Sequence, residues 1–295
     1  MTMNLPKAVS IVNPVSGVET KSNIIKLLSA LDGKYFDMTI CLTEYQGHGV
    51  EIAKQAVSEG VDYIIAVGGD GTVNEVGGAI AGSESALGII PMGSGNGLAR
   101  HLNVPINEAG AIEVIKNKNS KHIDFGTANG HPFFCTCGVG FDAAVSEEVR
   151  RQRKRGKLMY GKSILKIFQN YQCENYKLTT DSEVFNGPAF TITCANASQY
   201  GYNALIAPGA DIQDGQMNII ILKPFSPWEV PQTTFQLFTG LLYQNPRHEQ
   251  IIGSKALIER EKNGIMHVDG DAIETDKNIE VKVIPRGLKV LSGKP

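Results

Sequence analysis

The sequence predicts an α/β protein in two parts. A parallel sheet covered by helices comes first, and a mostly antiparallel β domain with helical inserts follows. Three observations predict this. Continuous apolar runs alternate with helix-like stretches over the first 120 residues. A glycine-bearing loop ends nearly every run. After about residue 121 strand-like segments are separated by turns, with Asn129-Gly130 and Asn263-Gly264 as type I′ hairpin signals.

The elements follow in order. "AVSIVNPVSG" leads to a helix around Ile24–Leu31, and "MTICLTEYQGHG" to one over Val50–Glu59. "YIIAVGGDGT" leads to Val73–Ala81. There Thr72-Val73-Asn74-Glu75 reads as a capping box that starts the helix at Thr72. "ALGIIPMGSGNG" leads to Leu98–Leu102, and a further helix runs near Glu108–Lys116. Beyond them "AFTITCANA" and "MNIIIL" read as strands, with inserts near 143–171 and 227–243. In the second insert Phe235, Phe238 and Leu242 share a helical face, for core packing first and an acyl-chain channel second.

Composition excludes several classes. The 295 residues are 42% hydrophobic with a net charge of −2, and the 28 basic residues form no RNA-binding motif, so nucleic acid is not expected. The five cysteines include no CxxC pair, which points to reduced thiols in a cytosolic setting. Cys135 and Cys137 read as core. "MTMNLPKAVSIV" has no signal-peptide core, and no apolar run approaches the roughly 18 residues of a membrane span. Membrane contact is therefore expected to be peripheral. Trp228 is assigned no function.

Four loops converge on the carboxyl edge of the predicted parallel sheet: Asn13–Gly17, Thr43–Gly49, Gly68–Thr72 and Gly93–Gly97. Glycines let backbone amides approach an anion, and a helix start adds partial positive charge. This is phosphate-binding architecture. There is no GxxxxGK[ST] and no GxGxxG after the first strand, so a Walker loop and a dinucleotide oxidoreductase are both set aside. Asp70 would repel phosphates unless a metal or another partner balances it, so the loop asks for a polyphosphate with Mg²⁺. Each loop alone is equally a tight βα turn.

"GGDGTVNEV" resembles the nucleotide signature of diacylglycerol-kinase-type lipid kinases, a superfamily that includes sphingosine and ceramide kinases. NAD kinases share its GGDGT core. "NPVSG", "PMGSGNGLA", "IDFGTANG", "GVGFDAAV", "APGADIQDGQMNIIIL" and "HVDGD" match the family in order along nearly the whole chain. The resemblance implies a nucleotide-binding α/β domain over residues 1–122, completed by a returning strand near 286–295. It implies a β-sandwich domain over 123–285 that carries the lipid site and the base, with the active site in the cleft between the two.

It also implies roles. Asn13, Ser16, Gly17, Thr43, Gly68, Gly69, Asp70, Gly71, Thr72, Glu75, Gly93, Ser94 and Asn96 would hold ATP, with Asp70 orienting Mg²⁺. Asp269 would be the general base. Asp271, at i+2 on an extended strand, would face the same way and support it, although "DGD" on its own also reads as a simple turn. Asp214, with Gln216 and main-chain Met217, would hold a structural Mg²⁺, although an Asp-Gly pair also reads as a turn. Asp124 and Asp142 would join a charged network in the cleft, or cap a strand or turn. The acceptor would be a lipid hydroxyl, diacylglycerol first and a sphingoid base next.

One departure matters: Gly97 stands where many bacterial members carry an aspartate, which puts part of the metal network in doubt. Residues 150–166, including Arg150, Arg151, Arg153, Lys154, Arg155 and Lys157, carry eight basic residues and no acid. They read as a patch for an anionic membrane surface or as a solvated helix face. The expected location is cytoplasmic, at the inner face of the membrane, and a homodimer stays open. The alternatives are a NAD kinase and a catalytically silent nucleotide-binding regulator.

Overall fold

The structure, a computed structural model, describes residues 5–16, 22–151 and 167–294. Mixed α/β architecture is what it shows. The chain divides into two compact units, residues 1–123 with 286–295, and 124–285.

In the first unit a parallel sheet runs β2 (Asp37–Leu42), β1 (Lys7–Val12), β3 (Tyr63–Gly68), β4 (Ala86–Pro91), and then the end of β16 (Asn278–Leu291). Strands β1, β3 and β4 are buried almost end to end, as apolar runs covered on both faces must be. Helices α2 (His48–Ser58) and α3 (Asp70–Ile80) pack together and onto β1, β3 and β4. Helices α1 (Ser22–Ser29) and α5 (Glu108–Asn117) form a second pair against β2 and β4, and α4 (Gly97–His101) follows β4 directly.

The second unit is a sandwich of antiparallel sheets. One runs β12 (His248–Gly253), β11 (Met217–Leu222), β10 (Thr191–Ala195), β7 (Thr136–Gly140), β14 (Gly264–Val268), β15 (Asp271–Thr275). The other holds the first part of β16, β13 (Lys255–Arg260), β8 (Glu174–Thr180) and β9 (Val184–Ala189), with β5 (Ser120–Ala128) and β6 (His131–Phe133) at its side. Val139, Ile192, Cys194, Ile219 and Met266 meet Tyr176, Leu178, Ile258, Ile279 and Val281 in the core between them. Helix α6 (Phe141–Arg151) covers β7, β14 and β15. The second insert holds α7 (Val230–Thr239).

Four local expectations change. Helix α3 begins at Asp70, capped by Gly69 with no side-chain bond, two residues before the Thr72 capping box. The two box residues are used elsewhere: Thr72 Oγ1 accepts from Asn13 Nδ2 at 3.2 Å, and Glu75 Oε1 accepts from the Gly47 amide at 3.2 Å. Asn129-Gly130 does turn β5 into β6, with φ of 47° and 84°, but Asn263-Gly264 makes no hairpin. Its flanking strands β13 and β14 belong to different sheets. The hairpin turn is Asp269-Gly270, with φ of 49° and 87°, between β14 and β15. Asp269 and Asp271 are therefore not neighbours on one strand face; Val268 and Asp271 pair across the turn. Last, Phe235 and Phe238 are exposed, and Leu242 alone of that trio is buried.

Candidate functional site

The carboxyl edge of the first sheet carries the glycine loops, and their geometry explains the glycines. A β-carbon on Gly68 would collide with Thr72, and one on Gly93 would lie 2.5 Å from Gly69 Cα and 2.9 Å from Asn96 Oδ1. Bare backbone at these positions lets loops 68–72 and 93–97 touch.

Asp70 ties the two loops together. Its Oδ2 accepts from the Asn96 amide at 2.9 Å and its Oδ1 from the Gly97 amide at 2.7 Å. Burial pushes the Asp70 carboxyl above its ordinary range, against the pull of these amides and of Arg100. Its charge is balanced by backbone dipoles, so a metal is not needed to explain a carboxylate in this loop. Gly97, in the place of the family aspartate, contributes one of those amides.

The other expected residues shape the loops. Asn96 sits at φ 54°; its Oδ1 accepts from the Gly93 amide at 3.0 Å and its Nδ2 donates to the Gly93 carbonyl at 2.7 Å. Asn13 Oδ1 accepts from the Val15 amide at 2.9 Å, while its own amide continues the sheet to Val67. Thr43 is buried, with its amide bonded to Val12. Ser94 is exposed and Ser16 half-buried; Gly17 lies outside the described residues. In the 43–49 loop Tyr45 stacks on His48, ring centres 4.6 Å apart, with Tyr45 more than half exposed.

In the second unit Asp269 is held by a nest of amides. Its carboxylate accepts from Phe134 at 2.8 Å, Cys135 at 2.8 Å and Thr136 at 3.0 Å. Asp271 is exposed at the start of β15. Asp214 forms an Asp-Gly turn: its Oδ1 accepts from the Gln216 amide at 2.8 Å, and Gly215 has φ 73°. Gly215 in turn donates to the buried Asp124 Oδ2 at 2.6 Å. Among the described residues no three His, Cys, Asp or Glu side chains gather as metal ligands. A structural Mg²⁺ at Asp214, Gln216 and Met217 would thus rest on one carboxylate and main-chain oxygens, and no chemical step is assigned to it.

Sequence reasoning missed most of a second cluster. Alternation along β7, β10 and β14 sends Cys137, Val139, Cys194, Met266 and Val268 into the core, and Gly138, Thr193 and His267 to the opposite face. Gly138 lies between the other two and leaves a gap that the Asp142 carboxylate enters from α6. A β-carbon there would lie 2.8 Å from Asp142 Oδ2. That oxygen accepts from Thr193 Oγ1 at 2.8 Å and Tyr200 OH at 3.1 Å, and lies 3.1 Å from His267 Nε2. Burial pushes the Asp142 carboxyl up, but His267 and the hydroxyls outweigh it and hold it below its usual value. The available signal was Gly138 inside a strand, which marks close approach.

Of the basic stretch only Arg150 and Arg151 are described, and both bond Glu147 at 2.8 Å. Arg153, Lys154, Arg155 and Lys157 lie outside the described residues. No described helix is long and apolar enough to cross a membrane.

Comparison with known proteins gives two family matches. Residues 7–128 match the diacylglycerol kinase catalytic domain, and residues 135–292 match the YegS C-terminal NAD kinase beta sandwich-like domain. The chain is 30% identical to proteins named diacylglycerol kinase from Staphylococcus haemolyticus and Staphylococcus aureus (strain JH9). The similarity covers 83% of this chain in both cases, and 75% and 79% of theirs. A solved diacylglycerol kinase from Bacillus anthracis superposes with TM-score 0.79 at 21% identity, covering 99% of this chain and 98% of that one. Yeast NADH kinase complexed with NADH gives TM-score 0.55 at 10% identity, covering 99% of this chain and 85% of that one. These two structural likenesses are of fold.

Proposed function

Because the chain belongs to the diacylglycerol kinase catalytic-domain family, we propose that it is a lipid kinase. In this reading it moves the γ-phosphoryl group of MgATP to a lipid hydroxyl, diacylglycerol first and a sphingoid base next. The observation that carries the reading is the Asp70 clamp. It joins two glycine loops at the starts of α3 and α4, and α3 has no side-chain cap competing for its first amides.

A kinase must hold the polyphosphate, offset its charge and accept the hydroxyl proton. Amides of loop 68–72, with those of Ser94 and Gly95, bind phosphate oxygens, and Asp70, holding the Asn96 and Gly97 amides, keeps the two loops in register. The Tyr45–His48 stack offers a face for a base. Mg²⁺ arrives with the nucleotide, as substrate, and neutralises phosphate charge. Asp269, by its place in the family motif, accepts the proton from the acceptor hydroxyl, and the amides of Phe134, Cys135 and Thr136 fix its carboxylate.

The test is transfer of labelled γ-phosphate from ATP to mixed micelles of diacylglycerol, sphinganine, ceramide and monoacylglycerol, with NAD in a parallel arm. Label in one lipid, lost in Asp269→Asn, is the expected result and names the acceptor. Label in NAD alone overturns the reading in favour of a NAD kinase. ATP binding with no acceptor labelled overturns it in favour of a silent nucleotide-binding regulator.

A further inference from the structure

The segment from Val230 to Asn245 contains no charged residue. Its helix α7 turns partly polar side chains toward the protein. Thr233 and Gln236 are buried, and Asn245 Nδ2 donates to Thr233 Oγ1 at 3.1 Å and to Gln236 Oε1 at 2.7 Å. The middle of the outward side is apolar, flanked by the exposed but uncharged Gln232, Thr234 and Thr239. At about 100° per residue Pro231, Phe235 and Phe238 fall within one arc of about 60°, opposite that buried pair. Trp228 precedes them in the turn Pro227–Glu229, and Tyr243 follows in the turn Leu242–Gln244. Trp228 is 91% exposed, Phe235 63%, Tyr243 59% and Phe238 50%. The charges that bound the segment cancel each other: Arg247 Nε lies 3.1 Å from Glu229 Oε1.

A helix with its aromatics outside and its amides inside is arranged for something that covers the outer face. The chemistry favours one kind of cover. A protein interface keeps a polar rim of charges and hydrogen bonds. From Phe235 to Tyr243 this stripe has no charge, and Glu229, the one acid beside Trp228, is already paired with Arg247. Trp and Tyr combine an apolar body with a polar tip and gather where headgroups meet acyl chains. We infer that Trp228, Phe235, Phe238 and Tyr243 form a docking surface that seats in the headgroup–acyl boundary of a lipid bilayer. The purpose of this contact rests on the lipid-kinase reading, whose acceptor is carried in the bilayer; the binding itself does not depend on turnover. The contact is apolar, so it does not draw on the charge of the basic stretch 150–166.

Trp228 is the only tryptophan, so emission reports this surface alone. The protein is titrated with vesicles of phosphatidylcholine only, at low and high salt. A blue shift that persists in high salt, with quenching by lipids brominated near the top of the acyl chain, is expected. Phe235→Ser with Phe238→Ser should weaken vesicle partition about tenfold or more while the melting temperature holds, since both side chains point outward. Emission unchanged by phosphatidylcholine, with binding only to anionic vesicles at low salt, overturns the inference in favour of the basic stretch. Emission already blue-shifted without lipid, and lost on dilution as a dimer dissociates, overturns it in favour of a second copy. Turnover on vesicle-borne and on water-soluble short-chain diacylglycerol separates the two readings. The double variant should lose only the first, and absence of both in the unaltered protein would sink the kinase reading while the emission result stands.

Discussion

Gly69 and Gly93 meet backbone to backbone, with room for no side chain between them. Gly93→Ala should therefore push the two loops apart. We expect a loss of about 1–3 kcal/mol in urea denaturation, typical of overpacking, together with weaker binding in an ATP titration. Unchanged ATP affinity would separate the loop contact from nucleotide binding.

Asp70→Asn tests the clamp. An amide can accept from one of the Asn96 and Gly97 N–H groups but turns a donor toward the other. The expected cost is about 1–3 kcal/mol, with phosphoryl transfer falling further than stability accounts for. Full turnover in the variant would remove Asp70 from the site.

Asp142 makes stability depend on acid. Its folded carboxyl lies below its ordinary value, so the unfolded chain takes the proton first as pH falls. Its contribution is present at neutral pH and fades below about pH 4. Asp142→Asn should cost about 1–3 kcal/mol near neutrality, by turning an amide donor toward the buried donors that the carboxylate accepts from, and show a shallower acid limb in denaturation midpoint against pH. An acid limb as steep as that of the unaltered protein would contradict this.

Gly138→Ala places a methyl group 2.7 Å from the Ile192 carbonyl and 3.0 Å from His267 Nε2. We expect about 1–3 kcal/mol of destabilisation, and little further loss when it is combined with Asp142→Asn, because the two changes act on one network. Additive losses in a double-mutant cycle would show that the network is not shared.

Asp269 and Asp271 should separate cleanly. Asp269→Asn suits the left-handed turn and its oxygen can still accept from Cys135 and Thr136, but it turns a donor toward the Phe134 amide, so both stability and transfer should drop. Asp271→Asn, at an exposed position, should leave the unfolding free energy within about 0.5 kcal/mol of wild type, so any fall in transfer there reads as chemistry.

The two-part fold was legible because its signals are local. Buried strands such as "YIIAVG" read as apolar runs, and the loops that follow them read as glycine clusters. What was not legible is decided at a distance. Asn263-Gly264 and Asp269-Gly270 carry the same local hairpin signal, and which one turns depends on β14 pairing with β15 while β13 joins another sheet. The Thr72 box lost to Asn13 and Gly47, partners on other loops. At the site, Asp70 and Gly93 could be read from glycine spacing. The grouping of Asp142, Thr193, Tyr200 and His267 could not, since only strand register brings them together.

Strand β16 serves both units in turn, pairing with β13 before Arg286 and with β4 after it. On the ribosome this has a consequence. The β4 edge of the first sheet stays unpaired until the whole second unit has been made, so the first unit cannot close ahead of the second. A chain stopped short of residue 286 would carry every glycine loop, yet leave an open strand edge exposed to chaperones and to other copies.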